Sequence, residues 1–274
     1  MTTENENIPK LLQNIAEAKD KQERESLERT NLDYGFYHGD CMEYLPDFPD
    51  NYFDLAIVDP PYGAGFTEGG GLQQIRSEIR EVQAGRITCS ESENQVRVTR
   101  IGGSWARKYA KKIISWDTAP KQEYFEQLFR VSRNQIIWGG NYFALPPTRC
   151  FVVWRKSNIS ETFSMAMAEY AWTSFNDNAK VFEYAPQGRP GDDRFHPTQK
   201  PVALYEWLLS RYAKDGDTIL DTHVGSASSL IACHNTNHKY VGFEIDDTYY
   251  ALAKERLDRE TAQMNIFDFM GDNK

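Results

Sequence analysis

The sequence predicts an α/β fold, a mostly parallel sheet with helices packed on its faces, and three observations predict it. Short apolar runs such as "FDLAIV", "NQIIWGG" and "CFVVWRK" read as buried strands. Stretches such as "PKQEYFEQLFRVS" separate them at helical spacing. The block "DTILDTHVGSASSLIACHNTNHKYVGFEIDDTYYALAKERLDRE" reads as strand, glycine turn, helix, strand and helix, one βαβα unit. At 274 residues, with 40% hydrophobic and 26% charged side chains, the chain has ordinary globular make-up and length for one large domain or two small ones.

Composition also excludes. No apolar run approaches the roughly 20 residues of a membrane span, and "MTTENENIPK" is polar and acidic where a secretion leader is basic and then apolar. The four cysteines, Cys41, Cys89, Cys150 and Cys233, stand far apart with no C-x-x-C pair, so neither a disulfide framework nor a thiolate zinc site is expected. No membrane, no metal and a reducing cytoplasm are the expectations. The formal net charge of −9 disfavours nucleic-acid binding by the whole surface and leaves a local patch open.

The elements follow in order. Residues 8 to 30 place Ile8, Leu11, Leu12, Ile15 and Ala18 at helical spacing and then turn almost wholly charged. They predict an amphipathic helix packed at one end, with a partner-binding or dimerisation arm as the alternative. A strand near 33 to 37, a short helix at 41 to 45 and a buried strand at 53 to 58 come next, punctuated by Gly39-Asp40, Pro46 and Pro49. Residues 64 to 112 are glycine-rich, polar and poor in large aliphatics, an excursion of a length that usually carries function. Its last part, "RVTRIGGSWARKYAKK", holds Arg97, Arg100, Arg107, Lys108, Lys111 and Lys112 and no acid. A helix over 120 to 132, the strand in "NQIIWGG" and, past Pro146-Pro147, strands in "CFVVWRK" and near 167 to 175 resume the pattern. The Gly/Pro-rich connector "APQGRPGDDRFHPTQKP" leads to a helix over 201 to 213 and then to the βαβα unit.

Two turns carry chemistry. In "TILDTHVGSASSLIA" a strand ends at Asp221 and turns through Gly225-Ser226 into a helix, which puts backbone N–H groups at the carboxyl end of a parallel sheet. The next strand ends at Glu244, 23 residues after Asp221. That is close to the spacing of roughly 20 at which an acid accepts from ribose hydroxyls. G-x-G-x-x-G and the P-loop lysine are both lacking, which counts against a dinucleotide or triphosphate and suits an adenosine ligand without phosphates.

The other turn is Asp59-Pro60-Pro61-Tyr62 at the end of "LAIV". Each proline fixes its φ, lacks an N–H and pushes the preceding residue to extended geometry, so two in a row make a stiff exit. Such an exit can hold the Asp59 carboxylate and the Pro60 carbonyl as acceptors aimed at one amino group, with Tyr62 as a stacking plate. An exocyclic amine of a nucleobase is a poor nucleophile because its lone pair is delocalised into the ring. Two acceptors gripping its hydrogens favour the pyramidal form that can attack, and no metal is required.

These residues resemble the DNA amino-methyltransferases that use S-adenosylmethionine. Asp59 to Tyr62 match their catalytic [DNS]-P-P-[YFW]. "DTHVGSASS" answers their cofactor motif D-P-F-x-G-S-G-T-T, keeping Asp221, Gly225 and Ser226 while Thr222, His223 and Ala227 replace Pro, Phe and Gly. "HPTQKP", from His196, is similar to their segment ahead of the cofactor strand, which makes Thr198 and Lys200 candidates for the cofactor carboxylate. "GDCMEYL" resembles the segment whose Asp, here Asp40, contacts the cofactor's adenine.

The resemblance implies a Rossmann-like class I methyltransferase fold, with a mostly parallel seven-stranded sheet, helices on both faces and an inserted target-recognition region. It implies Asp59, Pro60, Pro61 and Tyr62 as catalytic. The cofactor set is Asp40, Cys41, Thr198, Lys200, Asp221, Thr222, His223, Gly225, Ser226, Glu244 and Ile245. The partner is double-stranded DNA, with the target base flipped out. The catalytic motif precedes the cofactor motif, as in the permuted β class, where target recognition commonly follows the catalytic motif. Arg97, Arg100, Arg107, Lys108, Lys111 and Lys112 thereby become the DNA-binding set, with Trp105 and Tyr109 to stack or wedge where a base leaves the helix. The chain divides into a helical arm (1–30), a catalytic domain (31–63 and 112–260), the insertion (64–111) and a tail (261–274).

Members of the resembled family that act on the N4 of cytosine more often begin the tetrad with Ser, so the resemblance, with Asp59, implies the N6 of adenine, with the N4 of cytosine as the alternative. The altered turn at Thr222, His223 and Ala227 keeps a second class open, a nucleic-acid-binding subunit without catalysis. A homodimer and a cognate restriction nuclease are further partners the resemblance allows. Asn141 or Tyr142 in "WGGNYF" borders the target base or forms a turn. Cys233, His234 and His238 lack a further ligand pair and read as part of the helix-to-strand turn.

Overall fold

The computed structural model describes residues 32–62, 118–160, 166–187 and 194–271, with side chains as far as 262. The expected arm at 1–30 and the insertion at 64–111, with Arg97, Arg100, Trp105, Arg107, Lys108, Tyr109 and Lys111, lie outside the described residues, as does Lys112.

Strand β1 (Gly35–His38) leads to the one-turn helix α1 (Cys41–Tyr44), a 3-10 turn at Leu45–Asp47 and strand β2 (Phe53–Val58). Asp40 starts α1, its carboxylate accepting from the Met42 N–H at 2.9 Å as an N-cap. Helix α2 (Gln122–Val131) buries Tyr124, Phe125, Leu128 and Val131, one stripe at helical spacing. Strand β3 (Ser132–Trp138), a 3-10 turn at Gly140–Tyr142 and strands β4 (Phe151–Arg155), β5 (Ala168–Thr173) and β6 (Lys180–Glu183) follow. Helix α3 (Val202–Tyr212) begins directly after Pro201, whose ring suits a helix start. Strand β7 (Thr218–Asp221), helix α4 (Ser228–Asn235), strand β8 (Lys239–Glu244) and helix α5 (Asp247–Gly271) are the expected βαβα unit.

Among the described residues the strands form one sheet in the order β1-β8-β7-β2-β3-β5-β4-β6. Strand β5 runs antiparallel to both β3 and β4, and the remaining pairings are parallel. The sheet has eight strands where seven were expected. The extra one is β6, "KVFE", an edge strand that alternates half-buried and exposed residues. Four residues with two charges offer too short a period to read as a strand.

Strand β2 shows why its sequence is apolar throughout. Ala56 and Val58 pack with Phe125, Leu128 and Ile137 on the α2 face, whereas Leu55 and Ile57 pack with Leu204, Leu208 and Ile219 on the α3 face. Successive residues point to opposite faces and both faces are covered, so no polar alternation survives. Each fully buried side chain of this size contributes about 1.5–3 kcal/mol.

This topology opens the site. The chain leaves β7 toward β8 on one side and leaves β2 toward β3 on the other, while β7 and β2 pair directly through Leu55↔Ile219 and Ala56↔Leu220. Connections departing in opposite directions leave a crevice beyond the carboxyl ends, where open α/β sheets hold ligands. Asp221 ends β7 and Asp59 follows β2, one on each flank. Because β5 runs against its neighbours, its first residues, Ala168 and Glu169, also stand at this end, through the register Trp138↔Ala171 and Trp154↔Glu169. Among the described residues no helix is long and apolar enough to cross a membrane.

Candidate active site

The crevice is lined by Asp59 to Tyr62, by His196, Thr198, Gln199 and Lys200 of the connector, by the turn His223 to Ser226, and by Glu244 and Ile245. Tyr205 and Tyr249 complete it.

At the β2 end the two prolines hand the chain out of the sheet and leave Asp59 partly buried. Tyr62 Oη donates to Asp59 Oδ1 at 2.8 Å, and Lys200 Nζ donates to Oδ2. Lys200 is almost sealed, its side chain 1% exposed against 15% for Asp59. Its ammonium also lies 3.3 Å from Glu169 Oε2 and 5.2 Å from the centre of the Trp138 ring. Glu169 Oε1 accepts from Lys156 Nζ at 2.6 Å. Burial pushes the Asp59 carboxyl up, and Lys200 pulls it down without cancelling burial and the nearby Glu169 charge, so Asp59 sits above the usual carboxylate range. Burial opposes the charge on Lys200 as well, but Asp59 and Glu169 outweigh it and hold the ammonium charged. For Glu169 burial pushes up, and the two lysines overcome it and hold the carboxyl below its ordinary value.

Tyr62 is fixed from its far side. Its ring stacks on Tyr142, with centroids 4.8 Å apart and planes 16° apart, and meets Phe143 edge-on at 6.2 Å. Gly139 makes room for it: its φ is +66°, and a Cβ there would stand 2.1 Å from the Tyr62 ring. The "WGGNYF" turn therefore does border the tetrad, through half-exposed Tyr142, while Asn141 is exposed.

At the β7 end the turn is built on backbone contacts. Gly225 (φ +58°) faces the His196 ring, which would lie 3.3 Å from an added Cβ. Its N–H donates to Glu244 Oε2 at 2.7 Å, and the Asp246 N–H donates to Oε1 at 2.9 Å. Asp221 lies beneath the turn, accepting from the Ser229 hydroxyl and, at 3.0 Å, from the His223 N–H. Burial pushes Asp221 up to about 7, against the pull of those two bonds. Arg256 reaches from α5 to donate to the Ser226 carbonyl at 2.8 Å and the Ser228 hydroxyl at 2.9 Å. Burial takes His223 down to about 4 and His196 down to about 3, the latter helped by the charges of Lys200 and Arg194.

The structure brings most of the expected residues to one crevice, namely Asp59 to Tyr62, Thr198, Lys200, His223, Gly225, Ser226, Glu244 and Ile245. The rest stand behind it. Asp221 supports the turn, and Thr222 is buried with its hydroxyl 2.7 Å from Tyr124 Oη and 2.9 Å from His223 Nδ1. Asp40 caps α1 beside β8, where the Gly39 N–H donates to the Glu244 carbonyl at 2.9 Å, and Cys41 is buried next to it. Sequence reasoning missed Glu169, Lys156 and Tyr205. The signal for the first two was an acid and a base at strand ends, in "MAEYAW" and "VVWRK", which only the pairing of β4 with β5 unites.

The sequence model of the N6/N4 DNA methylase family matches residues 100–255, more than half of the chain. This chain belongs to that family. Among the relatives of this methylase, the Type II methyltransferase M2.MboI of Moraxella bovis is 23% identical over 254 residues, 84% of this chain and 89% of its own. M2.DpnII of Streptococcus pneumoniae is 24% identical over 256 residues, with 81% and 89% covered. A solved structure described as an M1.HpyAVI–SAM complex is 19% identical with a TM-score of 0.48, covering 81% of this chain and 98% of that one.

DNA is the substrate of this methylase and S-adenosylmethionine its methyl donor. The crevice fits that donor. Glu244 has lone pairs left over by its two backbone bonds, acceptors of the kind a ribose hydroxyl requires. Ile245, 59% exposed at the rim, is an apolar face of the kind an adenine ring lies against. Gly225 lines the crevice without a side chain, its left-handed backbone (φ +58°) suiting glycine.

Proposed function

We propose that this methylase modifies the N6 amino group of adenine at a specific site in duplex DNA, with the base flipped out of the helix. The observation that supports it most is the tetrad geometry: Asp59 held by Tyr62 Oη and Lys200 at the mouth of the donor's crevice, beside an aromatic plate. S-adenosylmethionine supplies the electrophilic methyl group. Asp59 and the Pro60 carbonyl grip the amino hydrogens, and the prolines keep those acceptors still. Tyr62, backed by Tyr142, stacks on the base. Glu244 and Ile245 hold the adenosine end, with Asp40 and Cys41 behind them. Thr198 joins the crevice near His196, its hydroxyl 3.2 Å from His196 Nδ1. Asp221, Thr222, His223, Gly225 and Ser226 shape the turn under the donor.

Residues 97 to 112 take the DNA backbone through their six cations, and the insertion 64–111 reads the target. The arm at 1–30 is a surface for a second copy, and a restriction nuclease of the same specificity is the expected companion. The cytoplasm is the expected location.

The test is transfer of tritiated methyl from S-adenosylmethionine to DNA, followed by mass analysis of the nucleosides. N6-methyladenine is the expected product. N4-methylcytosine would move the reading to the other amino group. Normal donor binding with no label on any DNA would identify a subunit without catalysis.

A further inference from the structure

Four charged side chains from four separate segments form a chain of ion pairs running back from the crevice: Asp59 after β2 and Lys200 before α3 line it, and Glu169 on β5 and Lys156 after β4 stand behind them. They alternate in sign and sum to zero. Glu169 and Lys156 are the members that the reading of the tetrad does not use, and of the two only Glu169 touches Lys200. It sits between the two ammoniums, 2.6 Å from Lys156 Nζ and 3.3 Å from Lys200 Nζ.

We propose that Glu169 is a positioning residue for methyl transfer, holding Lys200 where its ammonium orients the Asp59 carboxylate toward the target amino group. This rests on the reading of Asp59 as catalytic. A lysine ammonium is a point charge on a flexible four-carbon stem. With Asp59 as its sole counter-charge it settles over that carboxylate and covers the oxygens the amino group needs. Glu169 draws it from the other side, and the Trp138 ring, 5.2 Å from Nζ, gives it a third wall. Glu169 is itself placed by the sheet, since the register Trp154↔Glu169 and the Lys156 N–H to Met167 carbonyl bond of 2.8 Å fix β5 against β4. The four-charge arrangement also lets a partly buried Asp59 stay ionised without leaving a net charge in the crevice. Nothing in the stability of the sheet requires such a network to end on a carboxylate that faces the crevice.

The test compares kcat at saturating donor and DNA from pH 5 to 9, with donor affinity by calorimetry and folding by thermal melts. The groups facing Asp59 are Lys200, Tyr62, Glu169, Tyr205 on α3, Tyr124 on α2 and Asp221 at the end of β7. Glu169→Gln keeps a hydrogen-bonding side chain and removes the charge. It is expected to lower kcat about tenfold to hundredfold with donor affinity unchanged. The acid limb of kcat moves to lower pH, because the charge that helps push Asp59 up is gone. Glu169→Asp restores the charge one methylene short, so kcat lies between the two and the acid limb returns to the parental position.

A Glu169→Gln enzyme with parental kcat overturns the proposal. So does a loss explained by the melt alone with the acid limb unmoved, or a loss carried entirely in donor affinity. Should Glu169→Gln not fold, Glu169→Asp decides by itself: parental kcat overturns, and a fall at unchanged donor affinity supports. Asp59→Ala in the same series separates the two readings. Transfer surviving in that variant removes the role given to Asp59. Transfer lost there but intact in Glu169→Gln removes only the role given to Glu169.

Discussion

Asp59 is expected to be indispensable to transfer and dispensable to DNA binding, because its carboxylate faces the crevice and the proposed backbone contacts lie in residues 97 to 112. Asp59→Ala should abolish incorporation of tritiated methyl while filter-binding affinity for DNA stays near parental. Retained transfer would reduce the tetrad to a strand terminator. Gly139→Ala tests the plate. A methyl group there meets the Tyr62 ring at 2.1 Å in a left-handed backbone (φ +66°). The strain alone is about 1–2 kcal/mol, and displacement of Tyr62 adds a loss of kcat of at least about tenfold. An unchanged kcat would show that Tyr62 does not need its present place. The tetrad was legible in the sequence because its chemistry is local, four consecutive residues with one stiff backbone. Glu169 was not, because its meaning depends on residues 13 and 31 positions away, Lys156 and Lys200.

Among the elements, the turn between β7 and α4 holds most of the local peculiarity. Ala227 keeps φ +62° although it is not glycine, and it is fully buried. A left-handed alanine costs about 1–2 kcal/mol, offset in part by its buried methyl group. Asp221 beneath the turn gives a test by pH. Its carboxyl rises from 3.8 in the unfolded chain to about 7 in the fold. The folded state therefore holds a proton that the unfolded state has released. Its favourable contribution is complete below the unfolded value and is lost as pH rises through about 7. Asp221→Asn keeps an acceptor and a neutral charge, so its stability relative to the parent in urea melts should improve from pH 6 to pH 8. A gap that stays constant would place the Asp221 proton elsewhere. The strand endings and helices were legible to within a few residues where the apolar runs were long. Strand β6 was not, since an edge strand of four half-exposed residues leaves no periodic trace.

At the scale of the molecule, donor and fold are coupled. A ligand that binds only the folded state raises stability by about 2.7 kcal/mol at one hundred times its Kd. S-adenosylmethionine should therefore raise the melting temperature in a concentration-dependent way. The shift should shrink when Glu244→Ala removes the acid proposed to meet the ribose. A melt insensitive to the donor, with and without DNA, would exclude this crevice as its site. The net charge of −9 sets a further expectation on the same scale: DNA is engaged by a local patch, so its affinity falls steeply with salt.

The sequence by itself determined the α/β class, the Asp-Pro-Pro-Tyr turn after β2, the glycine turn and the acid that follows it, because each is written in residues adjacent in the chain or at a fixed helical or strand spacing. The tertiary structure alone decided that β5 runs backwards, that an eighth strand closes the edge, and that Asp59 shares Lys200 with Glu169. Those facts come from pairing between distant segments, and pairing is set by how two cores are filled on the two faces of one sheet. Short-range pattern reports which residues want burial or a turn, but not which strand end will carry an acid to the crevice.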